Sequence, residues 1–314
     1  AMRQRSADLG RDFPESNVRQ ADRPEGAEII PNHKGSAPGF RIEIDGCWVF
    51  CLPGVPEEMR TMLDDEVMPF LRGLAGEDRG VVVSRVLRTW GLSEAKVGED
   101  LDDLFRELQN PTVAFLASAG EIKIRLTALA SSRGEAAALI EPIEEEVRRR
   151  LGPRVFGVDD QTIERVLHDG FLERGWTFGS AESATGGLIA QRMSTLPGSS
   201  RVFRGSIVAY ASDLKTDILG VDPHTIEEHG VVSEATALAM AHGARRLLGV
   251  DVAVAVTGSA GPDPMEQPVG TMIVAVVSPV AEVVRTLMMP GDRERIRAYT
   301  ATAALHLVRR ALDG

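Results

Sequence analysis

Five consecutive apolar residues, Val252-Ala253-Val254-Ala255-Val256, constrain this chain more than any other stretch. A strand turns successive side chains to opposite faces, so a run with no polar residue needs cover on both. Strands of that kind lie in sheets flanked by helices, and the surrounding sequence supplies them. Apolar residues recur at helical spacing over 162–174, 187–194, 234–248 and 293–312, while strand-like runs fall at 176–181, 202–211, 250–256, 271–277 and 282–288. Residues 153–314 therefore read as an α/β sandwich with a mixed sheet.

A chain of 314 residues exceeds the usual size of one compact domain, so two or three are expected. Residues 1–40 are rich in Pro, Gly, Asn and charge and show little periodicity, as a segment that leans on something else for its structure. Arg41-Ile42-Glu43-Ile44 alternates and Cys47 to Leu52 is apolar, and Asp45-Gly46 between them predicts a hairpin with a type I′ turn. A helix over 57–71 follows Pro53-Gly54-Val55-Pro56. Next comes a small α+β module: a strand at 81–90, a helix at 94–109, strands at 113–118 and 121–128, and a helix at 134–150. The last of these ends in three arginines, which suit the negative end of a helix dipole.

A net charge of −11, spread along the chain, argues against general nucleic-acid binding and for a soluble cytoplasmic protein. The N-terminus lacks the apolar core of a signal peptide, and the most apolar late stretch, 272–284, is broken by Pro279 and Glu282. No membrane association is expected. Cys47 and Cys51 lack ligand partners nearby and read as reduced structural thiols. None of the six histidines has metal-ligand spacing, so no metal site is expected from them.

The densest chemical cluster is Ala181-Glu182-Ser183-Ala184-Thr185-Gly186-Gly187, between a strand and the helical pattern starting at Leu188. Free amides and hydroxyls at a helix start suit a phosphate or a developing oxyanion. The same residues also suit a plain cap, with Thr185 capping and the glycines allowing close packing. Three further clusters fall where the chain reverses. Pro197-Gly198-Ser199-Ser200 precedes a strand ending at Tyr210, and Lys215 lies five residues on. A serine with a desolvated lysine could act as nucleophile and base, while on local grounds alone Lys215 reads as a solvated helix residue. Thr257-Gly258-Ser259-Ala260-Gly261-Pro262 empties from the apolar strand, and Arg293 opens the last helix, where a cation opposes the dipole and an anionic ligand would explain it.

These clusters, in the order AESATGG, PGSSRVFRGSIVAYASDLK, HGVVSEATA, AVTGSAGPDP, PVGT and PGDR, resemble the C-terminal domain of the CinA family, identified with nicotinamide mononucleotide deamidase. Upstream, ESNVRQADRPEGAEIIPNHKGSAPGF and LPGVPEEM resemble the rear part of that family's molybdopterin-binding-like domain, and the stretch containing SRVLRTWGLSEA its KH-like domain. The resemblance implies a division at 1–76, 77–152 and 153–314, with about a hundred residues absent from the front. An ADP-ribose pyrophosphatase site, and the divalent metal it would use, would then be incomplete, with Lys34, Gly35 and the 53–58 loop as remnants. The middle module has no Gly-x-x-Gly loop between its helices, so nucleic-acid binding is not expected there. The family commonly has Cys where this chain has Ala184, which leaves only hydroxyls as nucleophiles.

The resemblance implies hydrolysis of the carboxamide of nicotinamide mononucleotide to nicotinate mononucleotide and ammonia, a step of pyridine nucleotide salvage. It carries Ser183, Ser200, Tyr210, Lys215, Thr257 and Arg293 onto the site. Ser200 is expected as nucleophile, with Lys215 and Tyr210 handling its proton. Arg293 with Thr257 and Gly258 would bind phosphate or amide oxygen, and Ser183, Thr185 and the Gly186 and Gly187 amides would hold an anionic group. Direct attack by water stays open, and no metal or other cofactor is needed by a hydroxyl nucleophile. A homodimer is expected. The rival readings are a competence- or recombination-associated binding protein without activity, and a residual ADP-ribose pyrophosphatase.

Overall fold

Asp45 and Gly46 take φ angles of 51° and 79° in the computed structural model, the positive pair a type I′ turn requires. The structure describes residues 22–76, 80–118 and 120–313, in two compact units divided at residue 80. The first 21 residues of the Pro- and Gly-rich segment, including the start of the stretch beginning at Glu15, lie outside the described residues.

In the first unit the turn joins β2 (Gly39–Ile44) to β3 (Cys47–Cys51). A strand that the sequence pattern did not announce, β1 (Glu28–Ile30), completes an antiparallel sheet of order β1-β2-β3. Only three residues long, it is too short to show a period, and its pairing register is marked by the ion pair of Arg41 with Glu28 at 2.6 Å. Trp48 and Phe50 on β3 turn inward to pack edge-on against Phe70, with ring centroids 4.6 and 5.8 Å away. Cys47 and Cys51 alternate with them, so they are free thiols on the exposed face rather than packed structural ones. The expected helix over 57–71 runs as α1 (Pro56–Met62) and α2 (Met68–Leu74), joined by a π turn at Leu63–Val67.

The second unit contains two sheets. One has the order β5-β6-β4-β7, from β4 (Val81–Trp90), β5 (Thr112–Ser118), β6 (Glu121–Ala130) and β7 (Val155–Val158). The helix expected over 94–109 is broken at the fully buried Leu101 into α3 (Glu94–Asp100) and α4 (Asp102–Glu107). Helix α5 (Arg133–Leu151) covers the sheet with Ala136, Ile140, Val147 and Leu151. Its three terminal arginines do more than face the dipole. Arg148 pairs with Glu144, Arg149 and Arg150 pair with Glu146, and Arg150 also reaches Asp103 on α4. That last pair holds the Asp103 carboxyl at about 2, so the patch is neutralised by the protein's own acids.

The other sheet has the order β12-β11-β10-β8-β9, built from β8 (Phe178–Glu182), β9 (Phe203–Val208), β10 (Val252–Gly258), β11 (Thr271–Val277) and β12 (Glu282–Met288). Strands β9, β8 and β10 run parallel while β11 and β12 are antiparallel, which makes the sheet mixed. The apolar run of β10 sorts by its two-residue period. Val252, Val254 and Val256 face a layer of α6 (Ile163–Arg174), α7 (Leu188–Ser194) and α11 (Arg293–Asp313). Ala253 and Ala255 face α10 (Glu234–Leu248), which answers with Ala237, Ala241 and Ala244. Small residues on both sides bring that helix close to the sheet. Two short helices, α8 (Asp213–Asp217) and α9 (Pro223–His229), connect β9 to α10.

Helix α11 ties the two sheets of this unit together through His306. Its ring is fully buried, stacked 4.6 Å from Trp90 and edge-on to Phe156 at 4.5 Å, with Nε2 3.1 Å from Glu121. Burial pushes the imidazole below its usual value, while the Glu121 carboxylate opposes that shift. His168 is also buried, beside Asp169, and the remaining histidines are exposed. No helix among the described residues is long and apolar enough to cross a membrane.

Candidate active site

Three parallel strands deliver their C-terminal ends to one place, as open α/β sheets do where they bind ligands. Beyond β8 comes Ser183, beyond β9 come Ala209 and Tyr210, and β10 closes with Thr257 and Gly258.

The start of α7 is already occupied. Glu182, fully buried at the end of β8, accepts from the amides of Gly187 (2.9 Å), Ile189 (3.1 Å) and Ala190 (2.9 Å). The hydroxyls of Ser180 and Ser206 donate to the same carboxylate at 3.2 and 3.1 Å. The protein's own anion therefore fills the helix terminus that the sequence offered to a ligand, and the amides of Gly186 and Gly187 are not free to hold one. The Gly186 amide donates to the Ser183 carbonyl at 3.0 Å. Gly186 and Gly187 serve the backbone, with φ of 58° and 95° in a turn that other residues would strain. Thr185 is wholly buried, away from the cavity, and its hydroxyl has no hydrogen-bond partner, so it does not cap the helix.

From the other side, Arg297 of α11 donates to the carbonyls of Ala184 (3.0 Å) and Thr185 (2.8 Å). The turn carrying Ser183 is thus held by a buried acid at one end and an arginine at the other. Neither role was read from the sequence, although Arg297 lies one helical turn after Arg293 and so shares its face. Glu182 stands inside the motif, one residue beyond the strand end that the sequence pattern predicts.

Lys215 is buried, with 2% of its surface exposed, despite sitting on the short polar helix α8. Its Nζ lies 3.3 Å from Ser183 Oγ and donates to the Ala209 carbonyl at 3.2 Å. Burial pushes the ammonium below its usual value, and the carboxylates of Asp213 and Glu266 pull weakly the other way. A lysine so placed spends more of its time neutral and can take a proton from the serine beside it.

Ser183 and Lys215 open onto a cavity of about 130 Å³. Tyr210, Thr257, Gly258, Asp263 and Arg293 also line it. Thr257 spends its hydroxyl proton on the Val231 carbonyl at 2.8 Å, which leaves its oxygen as an acceptor. A Cβ at Gly258 would come within 2.5 Å of Met272 Sδ, so only glycine fits there. Tyr210 is 56% exposed, and its oxygen accepts from Arg293 Nη2 at 2.5 Å. Arg293 also donates to the Gly261 carbonyl. The Tyr210 proton is then left to point at a ligand.

Ser200 does not belong to this cluster. It sits exposed on a 3-10 turn, Ser199–Arg201, which precedes β9, whereas the cavity lies beyond the other end of that strand. Six residues of strand span roughly 20 Å. The expectation of Ser200 beside Lys215 is corrected by the direction of the strand: Ser183 takes that place. Among the described residues no group of three or more His, Cys, Asp or Glu could hold a metal ion.

Residues 160–312 match the model of the CinA C-terminal domain, and residues 84–157 that of the damage-inducible protein CinA KH domain. A CinA-like protein of Frankia casuarinae is 47% identical over 311 residues, which cover 98% of this chain and 72% of that protein. A putative competence-damage inducible protein of Desulforamulus reducens is 40% identical, over 100% of this chain and 76% of its own length. The crystal structure of competence/damage inducible protein CihA from Agrobacterium tumefaciens covers 48% of this chain and 93% of its own, at 37% identity and a TM-score of 0.46.

Proposed function

The chain belongs to the CinA family, and from that premise we propose that the Ser183 cavity hydrolyses the carboxamide of nicotinamide mononucleotide, giving nicotinate mononucleotide and ammonia. The observation that carries the proposal is the buried Lys215 Nζ at 3.3 Å from Ser183 Oγ, on the wall of an open cavity. A hydroxyl needs an adjacent base to become a nucleophile, and a desolvated lysine is one.

In this reaction neutral Lys215 takes the Ser183 proton as Oγ adds to the carboxamide carbon. The Tyr210 hydroxyl donates to the oxygen that becomes negative, and the Arg293 guanidinium behind it strengthens that donor. Lys215 then gives its proton to the departing nitrogen, which leaves as ammonia. Water, deprotonated by the same lysine, cleaves the resulting ester and frees the carboxylate. Arg293, exposed on the cavity wall, would also meet the substrate's phosphate.

The test is ammonia release from nicotinamide mononucleotide by the purified chain. Ser183→Ala should lower kcat by at least about a hundredfold, the scale expected on losing a nucleophile or its base. Wild-type turnover in that variant would remove Ser183 from the chemistry.

A further inference from the structure

We propose that Asp263 makes the cavity select a ring that carries a positive charge beside the carboxamide, an inference that rests on the amidohydrolase reading above. Asp263 lines the same cavity as Ser183, Lys215 and Arg293. Among the described residues its carboxylate has no hydrogen bond or ion pair, and it is exposed. Neither cation of the cavity wall forms an ion pair with it. Arg293 spends its guanidinium on the Gly261 carbonyl and Tyr210 Oη, and Lys215 spends its Nζ on Ala209 and Ser183. The carboxylates that act on Lys215 are those of Asp213 and Glu266.

Pro262 and Pro264 flank Asp263, and each fixes its own φ near −65°. The carboxylate therefore sits on a stiffened piece of loop rather than a free one. An uncompensated charge held at a cavity wall attracts its opposite. A pyridinium ring alkylated at nitrogen supplies that charge, whereas the corresponding 1,4-dihydropyridine is neutral but keeps the same carboxamide, sugar and phosphate. The ring charge also withdraws electrons from the carboxamide carbon. A carboxylate that selects the charged ring thereby selects the form that is easier for Ser183 to attack.

The experiment measures binding of nicotinamide mononucleotide and of its 1,4-dihydro form to the full chain by calorimetry, with ammonia release followed in parallel. Wild type should prefer the oxidised ring by about tenfold, the scale of one charge pair at a partly exposed site. In Asp263→Asn the preference should fall to near unity, with affinity for the reduced form changed less than about twofold, and Asp263→Lys should reverse it. A preference that survives in both variants overturns the assignment of Asp263 while leaving the amidohydrolase intact. Wild type that prefers the oxidised ring, loses that preference in Asp263→Asn, yet releases no ammonia would support the charge selection and end the proposed reaction. Equal affinity of wild type for both rings overturns the inference outright.

Discussion

The cavity has a buried half and an exposed half, and they are built in different ways. On the buried side Glu182, Ser183 and Thr257 sit at strand ends and Lys215 on α8, all with almost no solvent contact. Glu182 and Lys215 each meet several partners fixed by the backbone. On the exposed side Tyr210, Asp263 and Arg293 come from the chain past β9, the loop after β10 and the first turn of α11, and reach into solvent. The first half can keep a reactive pair at one geometry, because moving either member breaks hydrogen bonds that water cannot replace. The second half can meet a charged ligand without a large cost in dehydration.

The largest break in this contrast comes from removing the anchor of the buried half. Glu182→Ala leaves three amides and two serine hydroxyls without their acceptor. Orphaning buried donors on that scale should cost on the order of 3–5 kcal/mol, or a Tm lower by roughly 10 °C in a unit of this size. Glu182→Gln, which keeps an acceptor oxygen, should lose less. Calorimetry that finds Glu182→Ala within about 2 °C of wild type would show that the turn is held by other means.

Lys215 separates stability from activity. Lys215→Met should reduce kcat by about a hundredfold or more while leaving the protein no less stable at neutral pH. The sign follows from the direction of its shift: the folded-state value lies below the ordinary 10.5. Below that lowered value the lysine is charged in both states, and the folded chain bears the full cost of burying the charge. As pH rises from there to 10.5 the unfolded chain loses its proton too, and the cost disappears. Wild type should therefore gain stability relative to Lys215→Met across that window, and its kcat should rise with pH through the lower end. A stability difference that is flat with pH, or that grows in favour of the methionine variant, would contradict a desolvated lysine.

Much of this architecture was visible in the chain, for reasons tied to local pattern. The β10 run demanded two covered faces and received them, and helix α10 and strands β11 and β12 fall where periodicity put them. The α9 helix was not read, since its seven residues are mostly polar and have too few turns to show a period. Site membership was harder. Lys215 and Ser183 are 32 residues apart, and only the parallel order β10-β8-β9 joins their ends. Ser200, nearer to Lys215 in sequence, is carried to the far end by the strand between them. Glu182 was hidden for a different reason: a carboxylate inside a buried strand reads as the edge of the strand until its five donors are seen.

The smallest expected effect is the sharpest test of that geometry. Ser200→Ala removes one exposed hydroxyl from a 3-10 turn at the opposite end of β9 from the cavity. Surface substitutions of this sort usually move stability by less than about 0.5 kcal/mol, and kcat on nicotinamide mononucleotide should stay within about twofold of wild type. Side by side with Ser183→Ala, the pair distinguishes a serine chosen for its neighbours in space from one chosen for its neighbours in sequence. A hundredfold loss in Ser200→Ala, with Ser183→Ala unaffected, would move the chemistry from the Ser183 cavity to the far end of β9.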